Sequence, residues 1–317
     1  MQFRTELCDL LDIEYPLIQG AMAWIAGGKL AAAVSEAGGL GIIGTGDADR
    51  AWLQKQINII RQNTSKPFGV NLMLTSPNTD DIVEEVINSK VPVVTTGGGN
   101  PGRYIEKLKD AGIKVLPVVA SQALALRLTR LGADAVIAEG EESGGHIGQI
   151  ATMCLVPMLV DVLDVPVIAA GGIADGRGLV AALALGAVGV QVGTRFICSP
   201  ECDVHPLYQQ KVLKARDRDT VVCGLSVSSP VRAIRNHFTR EYQQAEAEGA
   251  SKEVLNQMGK GRYRRAAQDG DIDEGTLLAG QISAMVKQIE PAGDIVRDII
   301  KGAIEVKKRV EGIQCHE

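Results

Sequence analysis

The stretch Glu139-Gly140-Glu141-Glu142-Ser143-Gly144-Gly145-His146-Ile147-Gly148 brings carboxylates, glycines and a histidine together directly after the apolar run Ala135-Val136-Ile137-Ala138. Imidazole is the side chain whose charge changes most readily near neutral pH. Glycine lets the main chain approach a ligand closely and reach dihedrals that other residues avoid. A loop of this make suits a bound cofactor with a proton handled beside it; the competing reading is a Gly-rich turn with a surface histidine. Two further glycine sites stand at strand-like ends, Gly171-Gly172 after Val167-Ile168-Ala169-Ala170 and Gly193-Thr194 after Val190-Gln191-Val192. Bare backbone amides and one hydroxyl suit an anion such as phosphate, although tight strand–helix packing selects glycine too. Asn71, Gln19 and Gln191 are polar amides among apolar neighbours, and a buried amide must find partners. Glu139, a carboxylate at a strand end, suits the binding of hydroxyl groups or a salt bridge.

Other chemistries find no support. Ser143 lacks the context of a nucleophile elbow. His146, His205, His237 and His316 are not spaced as metal ligands. The six cysteines, Cys8, Cys154, Cys198, Cys202, Cys223 and Cys315, are scattered and read as reduced thiols, mostly in the core.

Elements that would position these residues recur down the first two thirds of the chain. Short apolar runs lie at 16–20, 40–44, 68–73, 91–95, 115–119, 135–138, 165–170 and 188–192. Each is bounded by turn residues and is too short for a typical helix. Segments with helical spacing lie between them, at 29–37, 51–63, 80–89, 101–111, 122–131 and 178–185. Alternating strands and helices fit a (β/α)8 barrel or a doubly wound open sheet. No Gly-x-Gly-x-x-Gly follows the first strand, as a dinucleotide-binding open sheet would usually show. Special residues instead follow many strands, as on the C-terminal face of a barrel. The expectation is a barrel over 1–198, a cap inserted over 199–275, and helices over 276–317 that complete the ring, with helical patterning at 275–289 and 292–310.

Hydrophobic residues make up 45% of the chain and aromatics only 3%, with 36 glycines, as in parallel sheets covered by small-residue helices. The net charge of −5 excludes nothing by itself. Residues 211–265, however, hold twelve Lys or Arg against six Asp or Glu. That asymmetry fits either a face for an acidic partner or a solvated helical surface. No run is long and apolar enough to span a bilayer. The N-terminus lacks a signal-peptide pattern, so a cytoplasmic protein is expected.

Taken together, Gln19-Gly20-Ala21-Met22, the 139–148 stretch, Ala170-Gly171-Gly172-Ile173 and Gln191-Val192-Gly193-Thr194-Arg195-Phe196 resemble the FMN-dependent nitronate monooxygenase (2-nitropropane dioxygenase) superfamily. Lys66-Pro67-Phe68-Gly69-Val70-Asn71 and Ser228-Ser229-Pro230-Val231-Arg232 are similar to its enoyl-[acyl-carrier-protein] reductase II branch. The resemblance implies FMN at the strand C-ends, its phosphate on Gly171, Gly172, Gly193 and Thr194. Gly20, Ala21 and Met22 would lie beside the ring, and Gly145 would line the same site. Asn71, Thr96, Glu139 and Gln191 would bond the ring or ribityl chain. His146 is the implied catalytic residue. NADH or NADPH is the implied reductant and a trans-2-enoyl thioester on acyl carrier protein the substrate, docked on Arg232, Arg235, Arg262, Arg264 and Arg265. A homodimer and a monovalent cation held by cap carbonyls belong to the same expectation. Oxidation of alkyl nitronates with O2 is the alternative within the family; a non-catalytic flavin- or phosphate-binding regulator is the alternative outside it.

Overall fold

The computed structural model describes residues 3–313; Cys315 and His316 lie outside them. Strands are numbered in chain order: β1 Leu17–Gln19, β2 Gly41–Gly44, β3 Phe68–Met73, β4 Val93–Gly97, β5 Lys114–Val119, β6 Val136–Glu139, β7 Gly145–His146, β8 Val167–Ala170, β9 Gly189–Val192, β10 Thr220–Cys223, β11 Val231–Ile234 and β12 Leu277–Leu278. Eight of them form one parallel sheet in the order β1-β9-β8-β6-β5-β4-β3-β2. A parallel bridge between Ile18 and Leu40 joins its two ends. Leu40 donates its amide to Leu17 O at 2.9 Å, and Gln19 donates its amide to Leu40 O at 2.9 Å. The Gln19 side chain adds to this closure, its Oε1 accepting from the Ile42 amide at 3.0 Å. The fold is a (β/α)8 barrel, and Gln19 is a brace at its seam.

Side-chain alternation sorts each strand into two layers. Leu17, Ile43, Val70, Leu72, Val94, Val136, Ala138, Val167, Ala169, Val190 and Val192 pack outward into the layer shared with the helices. Ile18, Ile42, Val93, Leu116, Ile137 and Ile168 fill the barrel interior, and Leu7, Cys8 and Leu11 from the N-terminal helix Glu6–Leu11 join them. The short β-branched runs of the sequence thus serve two cores at once, and the inward polar residues Asn71, Thr95, Glu139 and Gln191 lie toward the C-terminal ends of their strands.

The helix Ala292–Glu311 lies against the helices Gly176–Ala184 and Gly28–Glu36. It buries Ile295, Val296, Ile299, Ile300 and Ala303, a stripe at helical spacing. The contact with Gly176 is so close that a Cβ there would lie 2.7 Å from Ile299 O. Residues 275–289 are not the α-helix that the patterning predicts. They form β12 and a single 3₁₀ turn, Gln281–Met285, because Leu277 and Ala279 are buried in alternation rather than along a helical stripe.

Between β9 and β12 the chain also contains strands that the charge-rich sequence concealed. β10 and β11 pair antiparallel from Thr220↔Ile234 to Cys223↔Val231. The other edge of β11 is shared: Val231 and Arg232 pair with His146 and Gly145 of β7, and Ala233 and Ile234 pair with β12. Helices His237–Ala247 and Lys252–Gly259 cover a small core of Val221, Cys223, Val227, Phe238, Tyr242 and Leu255. Of the described cysteines, Cys8, Cys198, Cys202 and Cys223 are buried and Cys154 is exposed; none forms a disulfide. No described helix is long and apolar enough to cross a membrane.

Candidate active site

A cavity of about 420 Å³ opens at the C-terminal ends of the barrel strands, within the size range of cofactor sites. Gly20, Ala21, Met22, Asn71, Glu139, Gly145, His146, Gly171, Gly172, Gln191, Gly193 and Thr194 all line it. Asn71 and Gln191 take inward positions of β3 and β9, each between residues that face the helix layer, and Glu139 ends β6 next to helix-facing Ala138. Thr96 does not join them. It shares its side of β4 with Val94, which faces the helices, and so points away from the cavity. Its neighbour Thr95 is the inward residue, accepting from Asn71 Nδ2 at 3.0 Å. Asn71 is held further by its main chain, whose carbonyl accepts from Thr45 Oγ1 at 2.7 Å.

The glycines have separate reasons. Gly171 and Gly172 adopt φ of +91° and +73°, a region that strains residues with a Cβ. A Cβ on Gly171 would also lie 2.9 Å from Gly140 O. At Gly193 a Cβ would meet nothing within 4 Å, so this main chain faces open cavity. Thr194 Oγ1 accepts from the Gly280 amide at 2.9 Å, joining the strand end to the segment after β12. The helix Gly176–Ala184 is capped by Asp175, which accepts from the Arg177 amide. The Asp175 carboxylate thus already occupies that helix N-terminus.

The loop after β6 is fixed from three sides. Glu142 accepts from the Thr152 amide at 3.1 and 3.0 Å through its two oxygens, and from Thr152 Oγ1 at 2.8 Å. A carboxylate thus covers the N-terminus of the helix Thr152–Val160. Glu142 O accepts from the Gln281 amide at 2.9 Å. Gly144 meets the chain beyond β12 so closely that a Cβ would lie 2.6 Å from Ala279 C. The third side is β11, through the β7 ladder and the bond from the Ile147 amide to Pro230 O at 3.1 Å.

Burial sets the electrostatics. Glu139 is pushed up to about 7 by desolvation, against a smaller downward pull from the Ser143 hydroxyl. That hydroxyl lies near the carboxylate without reaching hydrogen-bond geometry: Ser143 Oγ is buried and has no partner among the described residues. His146 presents open surface to the cavity yet has protein packed around it, and that desolvation lowers its pKa. Its neutral form therefore dominates at pH 7. Inward amides, an unpartnered hydroxyl, a half-ionised carboxyl and a cradle with an open Cβ position fit a polyhydroxylated, phosphorylated ring cofactor such as FMN.

The nitronate monooxygenase family profile matches residues 4–89 and 82–302. The chain belongs to that family. A probable nitronate monooxygenase of Staphylococcus saprophyticus subsp. saprophyticus is 33% identical, spanning 98% of this chain and 100% of that protein. The structure of FabK from Thermotoga maritima superposes with a TM-score of 0.94 at 51% identity, covering 98% of this chain and 99% of that one. Nitroalkane oxidase from Streptomyces ansochromogenes gives 0.85 at 28% identity, over 96% and 99%. The chain is thus an FMN-dependent oxidoreductase of the nitronate monooxygenase family.

In this nitronate monooxygenase family member the cavity has walls that the motifs do not show. Tyr263, Leu278, Gly280 and Ile282 line it from beyond β9. Tyr263 is half-buried, and burial raises its pKa, so the phenol keeps its proton. In the sequence it hides in a basic run; a lone aromatic there was the only signal. The basic residues themselves divide. Arg235, Arg264 and Arg265 are exposed; Arg264 stacks 4.9 Å from the Trp24 ring centroid, and Arg265 pairs with Asp271. Arg262 is half-buried over Phe238 and bound to Glu274 at 3.1 Å. Arg232 is only 6% exposed, so it cannot serve on a docking face: β11 turns it inward, beneath the loop after β6.

Proposed function

We propose that this protein reduces the trans-2 double bond of enoyl thioesters carried on acyl carrier protein, using NADH or NADPH. The observation that carries the reading is the likeness to FabK, at 51% identity over 98% of the chain; FabK is the enoyl-acyl-carrier-protein reductase II that the sequence motifs resemble. FMN, when bound, supplies the hydride chemistry. Gly171, Gly172, Gly193 and Thr194 would hold its phosphate, and Asn71, Glu139 and Gln191 its ring edge and ribityl hydroxyls. With a pKa near 7, Glu139 offers both a donor and an acceptor at neutral pH.

His146 is the group we assign to the proton. Saturating the double bond builds negative charge on the thioester oxygen and calls for a proton at the α-carbon. A neutral imidazole has one N–H, which donates to that oxygen or delivers the proton; such help is typically worth roughly 10²- to 10⁴-fold in rate. Exposed Arg235, Arg264 and Arg265 suit an acidic carrier protein through steering.

The second reading, oxidation of alkyl nitronates with O2, draws on the relative named a probable nitronate monooxygenase at 33% identity. The two part on one experiment with the purified yellow protein. Anaerobic bleaching of the flavin by NADH or NADPH, followed by turnover of crotonyl thioester, is expected. Failure to bleach, together with oxygen uptake on alkyl nitronate, would replace this reading with the second.

A further inference from the structure

Arg232 is a buried charged side chain that takes no part in the proposed reaction. Among the described residues its guanidinium forms no direct ion pair; the Glu141 and Glu142 carboxylates act on it only from a distance. Instead Nε donates to Glu141 O at 2.9 Å, and Nη1 reaches Thr220 Oγ1 at 3.4 Å. Arg232 does not line the cavity. A guanidinium sequestered in this way is costly to bury, and its strongest contact is a main-chain carbonyl in the loop that ends in His146. The main chain adds to the link: Arg232 pairs with Gly145 and Val231 with His146. Glu141 is anchored on its other side by its amide to Ile150 O at 2.9 Å. The guanidinium therefore spans from β10, through Thr220, across β11 to the loop after β6.

We propose that Arg232 is a positioning residue: it ties the β10–β11 ribbon to Glu141 and so fixes where β7 presents His146 to the cavity. The glycines of this loop explain why such a tie is needed. Gly144, Gly145 and Gly148 flank His146 and would leave a two-residue strand loosely ordered. Hydrogen bonds to a charged donor are among the stronger single contacts available. The ribbon, whose far side carries exposed Arg235, is thereby coupled to the imidazole. The proposal rests on the reading of His146 as the proton-handling residue.

The test uses the full-length, flavin-loaded protein with Arg232→Met and Arg232→Lys. Amide hydrogen exchange over 141–148 reads the tether directly; kcat and KM with crotonyl-CoA read its consequence. Arg232→Met is expected to retain flavin and its thermal transition while exchange over 141–148 speeds up about tenfold or more. Its kcat should fall about tenfold with KM within about twofold, the split expected of a misplaced group rather than lost binding. Arg232→Lys, which keeps the charge and stem, should recover part of both. Parent-like exchange over 141–148 in Arg232→Met overturns the proposal. If that variant does not fold, Arg232→Lys decides: partial loss of protection supports the tether and full protection overturns it. Faster exchange with unchanged kcat also overturns the positioning role. His146→Ala, assayed in parallel, then reports whether the reading of His146 fails with it.

Discussion

The barrel and the segment after β9 hold the site by different means. The barrel offers mostly backbone and small residues: Gly171 and Gly172 at positive φ, Gly193 facing open space, and inward amides braced by neighbours such as Thr95. The segment after β9 grips a loop through a ladder, a buried guanidinium and a close main-chain approach at Gly144. Substitutions in the first region should therefore change what is bound, and those touching the second should change how fast it reacts.

The sharpest separation is expected from His146→Ala. Turnover of crotonyl thioester should fall roughly 10²- to 10⁴-fold while the flavin absorbance per protein is unchanged. Undiminished turnover would take the imidazole out of the chemistry. On the barrel side, Gly171→Ala forces a Cβ onto φ +91° and against Gly140 O. Strain of this kind costs of order 1–3 kcal/mol, so flavin should dissociate about ten- to a hundredfold more readily, read by recovery of free-flavin fluorescence. Equal flavin retention would show that this turn is not part of the phosphate cradle.

Glu139 gives a pH-dependent version of the same comparison. Its carboxyl is raised by burial, so in flavin-free protein its contribution to stability is full below the ordinary carboxylate value of 4.5 and is lost as pH rises through about 7. Glu139→Gln removes that loss. The Tm of the variant relative to the parent should climb by roughly 5 °C between pH 4.5 and 7 and level off above. A difference that does not vary with pH would contradict the burial of an ionisable group there. The smallest effect is expected at the surface. Arg235→Glu combined with Arg264→Glu should raise KM for crotonyl-acyl-carrier protein about three- to tenfold at low salt and leave a small neutral crotonyl thioester unaffected. An unchanged KM would remove these residues from the docking face.

The two regions also differed in what the sequence disclosed. Runs such as Val167–Ala170 and Val136–Ala138 are legible because a barrel strand is buried on both faces and reads as continuous aliphatic chain. The position of Thr96 was not, because adjacent threonines in Thr95-Thr96 look alike until alternation is anchored by Val94 on the helix side. β10 and β11 escaped because Val231-Arg232-Ala233-Ile234 carries its charge inward, so an arginine that looks like surface is core. Tyr263 and Gly280 reach the cavity only by tertiary packing, and no local spacing records that.

The divided edge of β11, half given to β7 and half to β12, bears on attempts to re-engineer this scaffold. Grafting another family member's 199–290 onto this barrel would transplant the template against which the reactive imidazole is registered, and a one-residue slip in that graft would turn the imidazole to the opposite face. A working chimera must carry the 141–148 loop together with its ribbon as a single inherited unit.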